Sequence, residues 1–340
     1  MTITPELAER AHALHSRCFV ADAHYDLLNL LARRRIDEGR TNVVNEDYLP
    51  RWRVGGVNLI VSSIFLDTMH VPEMALRRAL DQIAAMHEEL DQCPDLALCR
   101  NVGEIRAAHA AGRIALLLSF EGVEPLGNDL SLLRVFYELG VRGIGLVWNR
   151  RNFAADGLKV HRRGTSGGLT EFGAALLDEA ERLGMYVDVS HLNDEGFADV
   201  TRLTGRPFAA SHSNSRALTN VPRNLTDEQL RTIAGRGGVI GLNCAQAFIR
   251  LREGGPATAA ELAVHAAHIK EVAGAEHICL GFDFCSEFRG SAGIMGMDAI
   301  DYYDHAWELT AGLLAQGFSE AEVEGVLGLN LLNFLEKTIG

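Results

Sequence analysis

Five segments of this 340-residue chain end in side chains able to bind a metal or move a proton. They read Asp22-Ala23-His24-Tyr25-Asp26, Ser119-Phe120-Glu121-Gly122, Val189-Ser190-His191, Ser211-His212-Ser213-Asn214 and Gly281-Phe282-Asp283. Each closes an apolar or β-branched run of the kind that forms a strand. Strand side chains two apart share a face, so His24 and Asp26 are natural co-ligands. Glu121 is placed to bridge, and His191 with His212 to hold a second ion. Imidazole with carboxylate suits zinc, although manganese, cobalt and nickel accept the same residue types. A lone buried histidine is usually structural, and the register of the whole set with strand ends is what favours the metal reading.

Charge supports it. Carboxylates converging on one mouth repel one another by ~4 kcal/mol per pair at about 4 Å and an effective dielectric near 20. No lysine stands at any of these ends, and imidazoles must be neutral to ligate, so two divalent ions are the expected counter-charge. Asp283 is expected to carry the proton, against the plainer roles of helix cap or arginine partner. His265 and His268, three apart on a helical stretch with no third ligand, read as a solvated face.

Reactive groups at strand ends call for a (β/α)8 TIM barrel, whose chemistry sits at the C-terminal mouth. Eight runs supply the strands: Cys18–Ala23, Val57–Phe65, Ile114–Phe120, Gly143–Val147, Met185–Val189, Phe208–Ala210, Val239–Asn243 and Ile278–Gly281. Helical patterns lie between most of them, at Pro72–Asp91, Val102–Ala111, Leu130–Leu139, Glu171–Leu183, Glu195–Leu203, Asp227–Ala234 and Ala259–Val272. Thr226 with Gln229, Thr258 with Glu261 and Ser319 with Glu322 have the spacing of capping boxes, and Gly112, Gly140 and Gly184 follow helices. Tyr302–Gln316 and Glu320–Leu335 are expected as additional C-terminal helices outside the barrel. Residues 1–340 are read as a single domain, with Asn149–Leu169 and Phe284–Asp298 as long loops able to form a substrate lid.

Composition narrows the partners. A net charge of −13 gives no electrostatic support for binding nucleic acid or an anionic membrane surface, so a small solute is the expected ligand. The cysteines show no C-x-x-C spacing, and Met1–Arg17 carries no apolar core of a secretory signal. No run approaches the ~20 residues of a membrane span, and a cytoplasmic location is expected.

The same residues resemble the renal (membrane) dipeptidase family of zinc peptidases, in the manner of a soluble bacterial member. The resemblance rests on D-x-H-x-D at Asp22–Asp26, E-G at Glu121-Gly122, S-H at Ser190-His191, S-H-S at Ser211–Ser213, R-N at Arg223-Asn224 and D-F at Asp283-Phe284. It implies two Zn2+ per chain bridged by Glu121, with His24 and Asp26 on one and His191 and His212 on the other. It further implies that Arg223 grips the free carboxylate of a dipeptide, that Asp283 moves the proton, and that a metal-bridging hydroxide attacks the peptide. Homodimers are common in similar proteins.

One departure stands out. The family places a histidine after the fourth strand, in an L-T-H segment, to donate to the scissile carbonyl; here the chain reads Leu146-Val147-Trp148-Asn149. Loss of such a donor typically costs ~3–4 kcal/mol of transition-state stabilisation. Trp148 and Asn149 are therefore candidate substrate-binding residues, with Arg150 as another donor and Trp148 as a plain pocket wall the simpler reading. The departure keeps two alternatives open: a two-metal hydrolase of another amide, lactam or lactone, and a non-catalytic metal- or ligand-binding barrel.

Overall fold

A computed structural model describes residues 4–159, 166–252, 254–286 and 298–340. Among these, nine strands form one sheet: β1 Val20–Tyr25, β2 Val57–Phe65, β3 Leu96–Leu98, β4 Ile114–Glu121, β5 Val141–Gly145, β6 Tyr186–Asp188, β7 Ala209–Ala210, β8 Val239–Leu242 and β9 Ile278–Leu280. Their order is β2-β1-β9-β8-β7-β6-β5-β4-β3, and a further β2–β4 pairing closes eight of them into a (β/α)8 barrel. Pairing is parallel, with Ser119 opposite Gly143 and Ile240 opposite Ile278. β1 and β4 are buried along their whole length, as parallel strands covered on both faces must be.

β3 lies outside the ring, with Leu96 opposite Ile114 at the start of β4. Three residues are too few to show a period, and the sequence reading has no strand there. The three expected capping boxes all form. Gly184 ends the helix Glu171–Leu183 at φ +74°, a left-handed position that strains any side chain with a Cβ.

By contact the chain divides into two compact units. One comprises Met1–Tyr25, Asp47–Ile60 and Ala210–Phe334, the other Asp26–Glu46, Val61–Ala209 and Leu335–Gly340. In the first, the helices Pro5–His15 and Ala259–Ala273 both pack against Trp307–Ala315. The expected C-terminal helix Glu320–Leu335 is broken into Glu320–Glu324, a wider π turn Gly325–Leu329, and Asn330–Thr338. The break lets the backbone of Gly328 approach the Phe19 carbonyl, where a Cβ would clash, and brings Asn330 Nδ2 to the carbonyls of Ala275 (2.9 Å) and Ile278 (2.8 Å). In the second unit, helix Leu27–Glu38 packs along helix Ala75–Gln92.

No helix among the described residues is long and apolar enough to cross a membrane. Of the two expected lid loops, residues 160–165 and 287–297 lie outside the described residues. The flanks are fastened: Asp298 accepts the N–H groups of Cys285 (3.1 Å) and Ser286 (3.0 Å), and the Asp156 carboxylate accepts the Gly167 N–H at 2.7 Å.

Candidate functional site

In the first unit the site begins at Asp22, which is fully buried. Its carboxylate accepts the backbone N–H of His24 (3.1 Å), the N–H of Phe282 (3.1 Å) and the Tyr303 hydroxyl (2.7 Å). One side chain therefore ties the end of β1 to the end of β9. Burial pushes its carboxyl up to about 6 against these three donors. Asp283 follows β9 with φ +54°, and its N–H donates to the His24 carbonyl at 3.3 Å. Asn243, just past β8, donates to Asp283 Oδ2 at 2.8 Å, while Asp283 Oδ1 lies 3.9 Å from His24 Nε2.

His212 stacks on His24, with ring centroids 3.7 Å apart and planes at 21°. Ser211 Oγ lies 2.6 Å from His212 Nδ1, a pairing that leaves Nε2 as the ligating nitrogen. Burial first, and the Arg223 charge second, push His24 down to about 3, so it is the neutral imidazole a metal requires. The strands come close enough here that only glycine fits: a Cβ on Gly241 or Gly281 would collide with the Ser211 carbonyl.

Arg223 is buried, donates to Ser213 Oγ at 2.8 Å, and has its guanidinium 5.8 Å from the Phe248 ring centroid. Its loop is held by Asn224, whose Nδ2 reaches the carbonyls of Thr219 (2.9 Å) and Phe248 (2.8 Å). It is also held by His265. Contrary to the expected solvated face, His265 is 0% exposed: its Nδ1 accepts the Ser215 N–H at 3.2 Å and its Nε2 lies 3.3 Å from Thr219 Oγ1. The loop folds over that helix face and covers it. His268 pairs with Asp227 at 2.8 Å.

In the second unit, Asp26 caps the helix Leu27–Glu38 by position, yet its side chain makes no capping bond. It accepts a short hydrogen bond from Ser63 Oγ instead. Burial raises its carboxyl to about 7; Ser63 opposes the rise, Asp67 adds to it, and a hydrogen bond with Glu121 opposes it. Half-buried Asp26 and buried Glu121 thus present two carboxyl groups side by side, an arrangement that favours a proton or a cation between them. Glu121, the last residue of β4, also has its Oε1 2.9 Å from His191 Nε2.

His191 sits at φ +67°, a costly conformation for a non-glycine residue. Two contacts hold it: Asp188 Oδ1 accepts the Ser190 N–H at 2.9 Å, and Asn149 Oδ1 lies 2.9 Å from His191 Nδ1. Nδ1 must be the protonated nitrogen there, because an amide oxygen only accepts. Nε2 is left with its lone pair.

These contacts show what the Trp148 segment does. Asn149 orients His191. Arg150 pairs with buried Glu124 at 2.7 Å and donates to the Leu66 carbonyl at 2.9 Å, bracing the loops after β2 and β4. Trp148 meets Phe65 edge-on at 5.3 Å between centroids, with His191 at 6.2 Å, and the Lys159 ammonium lies 4.8 Å from its ring centroid. Sequence reasoning missed Ser63, Asn243 and the clamp made by Asp22. The available signals were a polar pair inside an apolar strand, an amide ending another, and an aspartate two before a ligand.

Residues 8–339 match the membrane dipeptidase family, peptidase family M19. An uncharacterized dipeptidase of Schizosaccharomyces pombe is 35% identical over 69% of this chain and 55% of its own length. The chain spans about half the length of the curated relatives it matches, 55% in each of two cases. Among solved structures, dipeptidase AC, a metallopeptidase, superposes with TM-score 0.84 at 30% identity over 95% of this chain and 99% of that one. A metallopeptidase from Rhodobacter sphaeroides, bound to a phosphinate mimic of the dipeptide L-Ala-D-Ala, gives 0.84 at 29% over 94% and 99%. Matched by the family over residues 8–339, the chain belongs to the membrane dipeptidase family.

Proposed function

We propose that this chain is a zinc-dependent dipeptidase, with His24 and Asp26 on one ion, His191 and His212 on the other, and Glu121 between them. The observation that carries it is the buried Glu121 carboxylate 2.9 Å from His191 Nε2, with the Asp26 carboxyl beside it. Acids gathered this way are stabilised by a shared proton or a cation, and neutral histidines oriented through Nδ1 suit the cation. Nitrogen and oxygen donors of this kind fit zinc. Bound there, two divalent ions would supply Lewis acidity and a nucleophile from water at neutral pH.

The chain's own groups do the rest. Asp283, with one oxygen held by Asn243, takes the proton of the attacking water and returns it to the leaving amine. Arg223 presents a planar fork to the terminal carboxylate and so favours short substrates. The L-Ala-D-Ala mimic in the Rhodobacter relative supports a dipeptide substrate and makes L-Ala-D-Ala the first to try. All six cysteines are free of disulfides, which supports placement in the reducing cytoplasm. The test is elemental analysis for two metals per chain, followed by a panel of L,L- and L,D-dipeptides with the metal-loaded protein. Absence of chelator-sensitive cleavage across the panel would end this reading.

A second reading keeps the site and changes the scissile bond to another amide, a lactam or a lactone. Trp148 favours it, since its neighbours Asn149 and Arg150 are engaged with His191 and Glu124. Trp148→His should raise dipeptide turnover by about tenfold or more if the site is built for dipeptides; unchanged turnover favours the second reading.

A further inference from the structure

In the first unit, Asp283 holds a positive φ of +54°, a conformation that a residue with a Cβ keeps only where its surroundings impose it. Its side chain is held from one direction, by Asn243 Nδ2 on Oδ2 at 2.8 Å. The backbone beyond it is held from another. The Cys285 thiol donates to the Asp283 carbonyl at 3.1 Å. The N–H groups of Cys285 and Ser286 both donate to Asp298 Oδ2, at 3.1 and 3.0 Å, and the Ser286 hydroxyl donates to the same oxygen. Successive N–H groups converging on one anionic oxygen form a nest, and bonds to an ionised acceptor are stronger than those between neutral groups.

Asp298 is itself fixed to the segment that carries Asn243. Its carbonyl accepts Gln246 Nε2 at 3.2 Å, and it pairs with Ala245 in an antiparallel bridge. The next residue, Ala299, donates its N–H to the Cys244 carbonyl at 2.8 Å. Asn243 uses its amide oxygen to accept the Ala245 N–H at 2.8 Å. The bonds therefore run in a ring: Asn243 to Asp283, Asp283 through Cys285 to Asp298, and Asp298 back through Ala245 to Asn243. Cutting the ring at Asp298 leaves the Asp283 backbone with a thiol bond and a 3.3 Å bond to the His24 carbonyl, the weaker of its holds. We propose that Asp298 is a positioning residue for Asp283, aiming that carboxylate by fixing the backbone of Cys285 and Ser286. The inference rests on the reading of Asp283 as the proton carrier, and Asp298 acts through it.

Asp298→Ala removes the acceptor, whereas Asp298→Asn keeps an amide oxygen in place of Oδ2. In the metal-loaded protein Asp298→Ala should lower kcat about 10–100-fold, the scale of a displacement of about 1 Å, with KM and metal content near their unmutated values. Asp298→Asn should recover most of that loss. In an Asp283→Asn background the alanine change should cost less than about threefold, because residues that act as a unit are not additive. A merely structural aspartate would cost as much there as in the unmutated protein. Independently of any substrate, amide hydrogen exchange over residues 283–286 should quicken by about tenfold or more in Asp298→Ala and stay slow in Asp298→Asn. Asp298→Ser, shorter yet still polar, gives the same readings where the alanine variant does not fold. Unchanged exchange, a kcat within about threefold of the original, or a fully additive double variant would each overturn the proposal. Failure of the unmutated, metal-loaded protein to cleave any dipeptide would instead overturn the dipeptidase reading, and the exchange result would still decide whether Asp298 holds Asp283.

Discussion

Replacing Asn149 with alanine removes the acceptor 2.9 Å from His191 Nδ1 and tests whether that contact prepares His191 for a metal. His191 is 7% exposed, so its Nδ1–H would be left without this partner in a site mostly closed to water, at a cost of about 1–3 kcal/mol. The ring would also be released to the other tautomer, which points a proton where the ligating lone pair belongs. Loss of such an outer partner typically lowers metal affinity about 10–100-fold, or ~1.4–2.7 kcal/mol at about 1.36 kcal/mol per decade, in agreement with the first figure. The assay is zinc competition against a chromophoric chelator near neutral pH, resolving the two binding steps. Only the step that fills the His191 site should weaken. Asn149→Asp restores an acceptor and adds charge, so its affinity should return to the starting value or exceed it. Alanine-variant affinities within about twofold of the original at both steps, or an aspartate variant as weak as the alanine one, would refute the reasoning.

Three further substitutions probe the contacts around the site. Asp283→Asn should lower kcat by about 10²–10⁴ while metal content stays at the unmutated level; a loss below tenfold removes Asp283 from the proton path. Ser63→Ala removes a donor that opposes the rise in the Asp26 carboxyl, so protons should compete better with metal and the pH midpoint of zinc uptake should move upward; a downward shift would contradict the assignment. Burial holds His265 at about 4 against 6.5 when unfolded, so its contribution is complete above 6.5 and is lost as pH falls towards 4, by up to ~3 kcal/mol. Urea unfolding of His265→Gln should therefore show a shallower acid decline over that window than the unmutated protein, and equal slopes would show that His265 does not govern it.

The barrel was legible because its strands are apolar enough to announce themselves and its ligands fall where such runs stop. Elements that break that pattern stayed hidden. Helix Leu27–Glu38 buries its whole first half, Leu27 to Ala32, and then turns to Arg33-Arg34-Arg35, so no amphipathic stripe marks it. His265 was misread for the related reason that a covering loop, and not its own helix, decides its exposure.

The site divides in the same way. Ligand types and strand ends can be read from one segment at a time, whereas Asn149 and His191 lie 42 residues apart and Asn243 and Asp283 lie 40 apart, and nothing local joins them. Yet one device was within reach of the sequence. Asp22 accepts the N–H of His24, Asp188 that of Ser190, and Asn243 that of Ala245, at 3.1, 2.9 and 2.8 Å. Each is the same bond to a backbone two residues on, the Asx pattern that a short polar side chain can form with its own chain. Asp188 closes β6 and Asn243 stands just past β8, whereas Asp22 makes its bond within β1. In β1 and β6 the turned segment delivers a histidine, and Asn243 uses its remaining amide hydrogens on Asp283. Asp188 and Asn243 therefore do two jobs, stopping the strand and aiming the residues beyond it, while Asp22 does the second from within β1, and both arise from a side chain short enough to reach its own backbone.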